Sequence, residues 1–305
     1  MARLRGLSLL ATVGLVVGVT GCTAATPVSS AQVADLHRQA QEALARWDAA
    51  VAAGAGGSGF VLVGDSTLMV GDDWGPNMDG GNAKMAWGAG LFAAANELPA
   101  EEPPAGKIQW PDGTTSAVPV ISALTALTDM KAAGLSPCPT CTPLQITGAR
   151  LMTATFQSSR GPVLAPAWEF SLKDTDVKLD QVAVGTKFAA PPVPTTNDQQ
   201  VAQPWVGPPP QSATVDASGI TLTVTVVGAP DPGDKPCGAD YTAEAVESDA
   251  AVVVIVYEHR SPSTVPVACT LVGAARTVPL TLAKPLGSRT LIDLQAQPVS
   301  VTAGH

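Results

Sequence analysis

Three patterns of apolar and polar positions alternate along the chain. Between Ala31 and Ala53, Val33, Leu36, Ala40, Leu44, Trp47 and Val51 recur at steps of three and four, which predicts one amphipathic helix over 31–54. Gly54, Gly56 and Gly57 end it. The stripe fits a helix packed on the body of its own domain, or a partner-facing coiled coil of barely three heptads. Phe60 to Val63 and Leu68 to Val70 predict a strand interrupted by a turn, and Ala83 to Leu98 predicts a helix weakened by Gly88 and Gly90. Lys107 to Trp110 reads as a short strand before the turn Pro111-Asp112-Gly113. Val120, Ile121, Leu124, Leu127 and Met130 then share a helical face, with Gly134 in the position after the helix and Pro137 preventing continuation. Strand patterns follow at Leu144–Phe156, Ala167–Leu172 and Val177–Val184, with Ser159-Arg160-Gly161-Pro162 as the turn joining the first two.

The period changes again after residue 213. Ile220, Leu222, Val224 and Val226 alternate with threonines, as a half-buried strand does. Ala250 to Tyr257 is a continuous apolar run of strand length, which fits a central strand. Val278, Leu280 and Leu282 alternate, and Leu291 to Leu294 adds a short strand. Four or five strands at this spacing predict a small sandwich or barrel. Between the halves, 189–213 holds seven prolines among Gln, Asn and Thr, the composition of an extended linker. The predicted fold is therefore a β-rich α+β chain. An α+β domain over 59–188 precedes an all-β domain over 214–302.

Composition narrows the partners. The 305 residues carry 17 basic and 26 acidic side chains, a net charge of −9. Arg3 and Arg5 are the only charged groups among the first 21 residues, so the remainder is more acidic still. Nucleic acid, which demands a basic stripe, is excluded as a partner, and so is electrostatic docking on anionic lipid.

The N-terminus reads as an export signal. Arg3 and Arg5 form a basic start, and the apolar stretch Leu7–Val19 is shorter than the roughly 20 residues of a membrane span. It ends in Val19-Thr20-Gly21-Cys22, which resembles the lipobox of bacterial lipoproteins, although Leu is commoner than Val at its first position. The resemblance implies that residues 1–21 are a signal peptide cleaved before Cys22. It also implies that the Cys22 thiol carries lipid, with 22–30 as a tether. Several acyl chains, at about 0.8 kcal/mol per buried CH₂, anchor a protein durably where one does not. The expected location is the extracytoplasmic face of the cell membrane. Cys138, Cys141, Cys237 and Cys269 remain, an even number suited to disulfides in an oxidising compartment. Three pairings exist; proximity favours Cys138 with Cys141, and domain organisation favours Cys237 with Cys269.

Four constellations are candidates for chemistry. Gly64-Asp65-Ser66 after an apolar strand resembles the first block of GDS-type serine esterases, which would make Ser66 a nucleophile. That family takes its base from an Asp-x-x-His motif. The residues three before His259 and His305 are Val256 and Thr302, so the motif is missing, and Gly81-Asn82 imitates an oxyanion block only loosely. Cys138-Pro139-Thr140-Cys141 has the spacing of a redox pair but follows a helix, where a structural disulfide fits better than a reactive thiolate. A zinc ribbon would need a second such pair. Asp72, Asp73, Asn77 and Asp79 sit in a glycine-bent loop, an oxygen-rich candidate for Ca²⁺ without the alternation of an EF-hand. Trp74, Trp87, Trp110, Trp168 and Trp205 are candidates for sugar stacking, against the commoner role of core residues. No cofactor is expected.

Longer stretches resemble uncharacterised secreted lipoproteins of actinobacteria. In the first half these are Thr147-Gly148-Ala149-Arg150-Leu151, Ser159-Arg160-Gly161 and Ala165-Pro166-Ala167-Trp168-Glu169-Phe170. In the second they are Cys237-Gly238-Ala239-Asp240-Tyr241, Arg276-Thr277-Val278 and Pro285-Leu286-Gly287-Ser288-Arg289. The likeness spans roughly residues 59–301 and implies no activity or catalytic residue. The combined expectation is a non-catalytic, lipid-anchored protein that presents β-rich domains to an envelope protein, glycan or small ligand. A serine esterase built on Ser66 is the alternative.

Overall fold

The computed structural model describes residues 29–54, 60–72, 80–185, 207–260, 268–270 and 272–304. Helix α1 (Ser30–Ala52) opens on a capping box. Gln32 donates its backbone N–H to the Ser29 hydroxyl at 3.3 Å, and its side-chain oxygen accepts the Ser29 N–H at 2.8 Å. The predicted stripe is present, with Leu36, Ala40, Ala43, Leu44 and Trp47 buried, while Val51 at its end stays exposed.

The first half contains β1 (Thr67–Val70), α2 (Gly80–Gly88), β2 (Phe92–Ala94), β3 (Gly106–Gln109), β4 (Thr115–Val118), α3 (Ala123–Ala132), β5 (Leu144–Ser158), β6 (Gly161–Leu172) and β7 (Lys178–Val182). All seven strands form one sheet. The long hairpin β5–β6 is its spine, with β2 beside β5, and with β7 then β1, and β3 then β4, beyond β6. The helix expected over 83–98 is shorter than its pattern. It stops at Gly88, Gly90 turns at φ +64°, and Phe92–Ala94 becomes a strand parallel to β5. A Cβ on Gly90 would sit 2.5 Å from the Lys131 carbonyl, and one on Gly134 2.5 Å from the Ala89 carbonyl. These two glycines let the ends of α2 and α3 touch, and α2 itself closes on Gly90 in a Schellman cap, the Gly90 N–H donating to the Trp87 carbonyl and the Leu91 N–H to the Ala86 carbonyl, both at 2.9 Å. On β6, Trp168, Phe170 and Leu172 face α2 and α3, whereas Val163, Ala165 and Ala167 face a second core with Ile108, Trp110 and Phe156.

The second half contains β8 (Pro210–Val215), β9 (Thr221–Gly228), β10 (Asp240–Glu247), β11 (Ala251–His259), β12 (Ala274–Thr281), β13 (Thr290–Ile292) and β14 (Ser300–Ala303). Seven strands among the described residues replace the four or five expected. They stack as two sheets, ordered β12-β9-β8-β14 and β10-β11-β13. β8 opens at Pro210, so the last four residues of the expected linker belong to a strand; 186–206 lie outside the described residues. Proline is tolerated at a first strand position, where no ladder N–H is needed.

β11 explains the continuous apolar run. Val252, Val254 and Val256 enter the core between the two sheets, while Ala251, Val253, Ile255 and Tyr257 meet Leu36, Ala40, Leu44 and Trp47 of α1. The helix stripe is therefore covered by a strand some 200 residues away in the chain, so α1 makes a third layer on the sandwich. The segment at Phe60 joins the halves. Phe60 and Leu62 point into the first half and Val61 into the core under α1. The Val61 carbonyl accepts the Ser159 N–H at 2.8 Å, and the Ser159 carbonyl accepts the Val301 N–H at 3.1 Å. At that hairpin tip Gly161 (φ +84°) leaves only 2.9 Å between a Cβ and the Thr302 methyl, so β14 rests directly on the β5–β6 turn.

Trp47→Ala should therefore cost about 3–5 kcal/mol in urea denaturation, as for a fully buried aromatic. Leu124→Ala, half-exposed on α3, should stay within about 0.5 kcal/mol.

Candidate functional site

Ser66 leads into the edge strand β1, and its carbonyl accepts the Val182 N–H at 2.9 Å. The two described histidines are engaged elsewhere. His37 Nε2 on α1 lies 3.1 Å from Glu244 Oε2 of β10, and His259 Nε2 on β11 lies 2.7 Å from the Thr242 hydroxyl of β10. His305 lies outside the described residues. Asn82, the loose oxyanion candidate, instead brackets Thr142. It donates to the Thr142 carbonyl at 3.1 Å and accepts the Thr142 N–H at 2.8 Å, fastening α2 to the Cys138–Cys141 loop.

Cys138 is joined to Cys141 and Cys237 to Cys269, with Cα separations of 5.4 and 5.6 Å. The first pair lies between the end of α3 and the start of β5, next to the Thr142 backbone that Asn82 in the first turn of α2 holds. The second links the segment before β10 to residue 269 and closes the longer loop, for which chain entropy gives roughly 4 kcal/mol. Asp72 is exposed, while Asp73, Asn77 and Asp79 lie outside the described residues. Among the described residues no group of three or more His, Cys, Asp or Glu side chains could hold a metal ion. Three tryptophans are core residues: Trp47, Trp110 and Trp168 are at most 5% exposed. Trp168 donates its indole N–H to the Ile121 carbonyl at 2.8 Å, and Arg160 stacks 4.2 Å over Trp110. Trp87 is half-buried against the first-half core, and Trp74 and Trp205 lie outside the described residues. The described tryptophans thus form no open sugar platform.

A groove of about 630 Å³ lies where the C-terminal end of α1 meets the β10–β11 turn and the segment between β12 and β13. This volume suits a small ligand. Arg289 forms its floor with all five donors engaged. It gives Nη1 to Glu247 at 2.6 Å and to the Ser248 carbonyl at 3.4 Å, and Nη2 to the Lys284 and Pro285 carbonyls at 2.7 and 3.0 Å. Its Nε reaches the Leu286 carbonyl at 3.3 Å. Glu247 also accepts the Ala283 N–H at 2.6 Å. Burial opposes the Glu247 charge, but that N–H and the Arg289 guanidinium outweigh it and hold the carboxyl below its ordinary range. At the rim Lys284 meets Asp249 at 3.3 Å, both exposed. The Ser248 hydroxyl donates to Asp48 of α1 at 2.8 Å, tying the helix end to the turn. The groove was not legible beforehand, because Asp48 and Ser248 stand 200 positions apart.

A second polar cluster crosses the first-half sheet. Arg150 on β5, Glu169 on β6 and Asp180 on β7 are successive register partners. Arg150 grips Glu169 through two nitrogens at 3.1–3.3 Å. Asp180 is buried, and its Oδ1 has no hydrogen-bond partner. Burial first, then the neighbouring Glu169 charge, raise its pKa, and Arg150 offsets them only in part. The folded state therefore holds this proton more tightly than the unfolded one, so Asp180 costs stability as pH rises above the ordinary carboxyl range. Asp180→Asn should raise the melting temperature at pH 7 by about 2 °C, on the order of 1 kcal/mol. The gain should shrink toward zero near pH 3.5, which scanning calorimetry at the two pH values checks.

Comparison with protein-family models, with curated proteins and with solved structures finds no match to this chain. Among the described residues no helix is long and apolar enough to cross a membrane.

Proposed function

We propose that the protein is an extracytoplasmic lipoprotein, held to the cell membrane through Cys22, whose docked β-rich halves bind an envelope component. The observation that carries this reading is the cysteine distribution. Four of the five cysteines are joined in two disulfides, a pattern of oxidising compartments, and the fifth is the lipobox-like Cys22. Ser29, the helix cap, stands seven positions after Cys22, which bounds their separation at roughly 25 Å. The anchor thus pulls first on α1 and, through its buried stripe, on the sandwich. The groove lies at the other end of this 23-residue helix, about 34 Å along. It would be presented away from the lipid attachment, where a diffusing ligand or a glycan strand can reach it.

Expression in a bacterial host with an alkynyl palmitate analogue tests the anchor. The wild-type chain should take up label and sediment with membranes, while Cys22→Ser should lose the label and become soluble. Equal labelling of Cys22→Ser, or an unlabelled and soluble wild type, would refute the lipoprotein reading.

A further inference from the structure

We propose that the groove at the C-terminal end of α1 binds an amine-bearing amphiphile, a ligand with an ammonium group on a short apolar body; this rests on the reading of the protein as a binding module. The charges on the groove wall decide the sign of the ligand. Arg289 and Glu247 cancel one another, and every Arg289 donor is already committed, so it has nothing left for a carboxylate or phosphate. Lys284 and Asp249 cancel at the rim. The remaining charge is that of Asp48. It accepts one hydrogen bond from Ser248 and has no cationic partner among the described residues.

The helix adds to the same sign. Asp48 stands one turn from the end of α1, where backbone carbonyls present the negative end of the macrodipole. The last turn carries no Lys, Arg or His to compensate it. Ala53 and Gly54 donate their N–H groups to only two of the terminal carbonyls, those of Ala49 and Val51. Beside this acidic end the groove is small and apolar, lined by Val51 and Ala52 of the helix itself and by Ala250 and Ala283. Val51 belongs to the apolar stripe of α1 yet is 40% exposed, because the stripe outruns the strand beneath it. An ammonium group at Asp48 with a hydrocarbon body across Val51 and Ala250 satisfies both halves of the groove. An anion of the same shape meets an unpaired carboxylate and a negative helix end.

Full-length Cys22→Ser protein, titrated with n-hexylammonium and separately with hexanoate by NMR, tests this. The expected result is saturable shifts at Val51, Ser248 and Ala250 with hexylammonium, no binding of hexanoate, and affinity that falls with added salt. Asp48→Asn keeps an acceptor for Ser248 and should weaken hexylammonium at least fivefold while leaving the melting temperature unchanged. Absence of saturable shifts, equal binding of hexanoate, or unchanged affinity in Asp48→Asn would overturn the proposal. Because the titration uses unlipidated protein, its failure is separate from failure of the palmitate labelling.

Discussion

Strand β11 has no solvent face, and the rest of the second half is arranged around that constraint. Its odd-numbered and even-numbered side chains are apolar alike, so one sheet partner cannot bury it. The opposing sheet takes Val252, Val254 and Val256, and α1 must take Val253, Ile255 and Tyr257. At about 25 cal/mol per Å² of apolar surface, leaving that second face open would cost several kcal/mol, a large part of a domain's stability. The helix also gains from the strand, since helices in proteins owe most of their stability to the packing of an amphipathic face rather than to propensity. Each element thus supplies the layer the other lacks. Polar bonds fix the register of the pair: His37 and the Tyr257 hydroxyl converge on Glu244 at 3.1 Å, and Ser248 holds Asp48. Burial and the Glu244 carboxylate push the Tyr257 hydroxyl up to about 12, so it stays a donor throughout the physiological range.

The same geometry sets how the halves meet. Residues 60–62 alternate sides, with Phe60 and Leu62 serving the first-half core and Val61 the core beneath α1. The tip of the β5–β6 hairpin closes the junction through backbone hydrogen bonds to Val61 and Val301. The proposed anchor ahead of α1 would therefore bear on both halves through the buried stripe of that helix.

Local periodicity carried much of the fold. The α1 stripe, the Val/Thr alternation of β9 and the uninterrupted run of β11 each follow from which faces are buried, and their patterns are unambiguous. Elements set by tertiary contact were not legible. The close approach of Gly90 to Gly134 joins the ends of two helices, and β4 is a four-residue strand, Thr115–Val118, with three of its positions at least partly open to solvent. The candidate site was less legible still. Ser66 and the Asp72 loop advertise chemistry through local composition, yet the described histidines lie on α1 and β11. The groove joins Asp48, Ser248 and Arg289 from three separate elements. Asp180 did leave a signal, as the lone carboxylate within the strand pattern Val177–Val184, but with Lys178 and Gln181 beside it the pattern does not tell a solvated aspartate from a buried one.

The mutual dependence of α1 and β11 is measured most directly by native-state hydrogen exchange at residue resolution. The amides of Leu36–Trp47 and of Val252–Tyr257 should exchange with the same free energy, close to that of global unfolding, and both should fall together as urea is added. Exchange of the α1 amides within minutes while the β11 amides stay protected would contradict this dependence, because the strand would then be stable with one face uncovered.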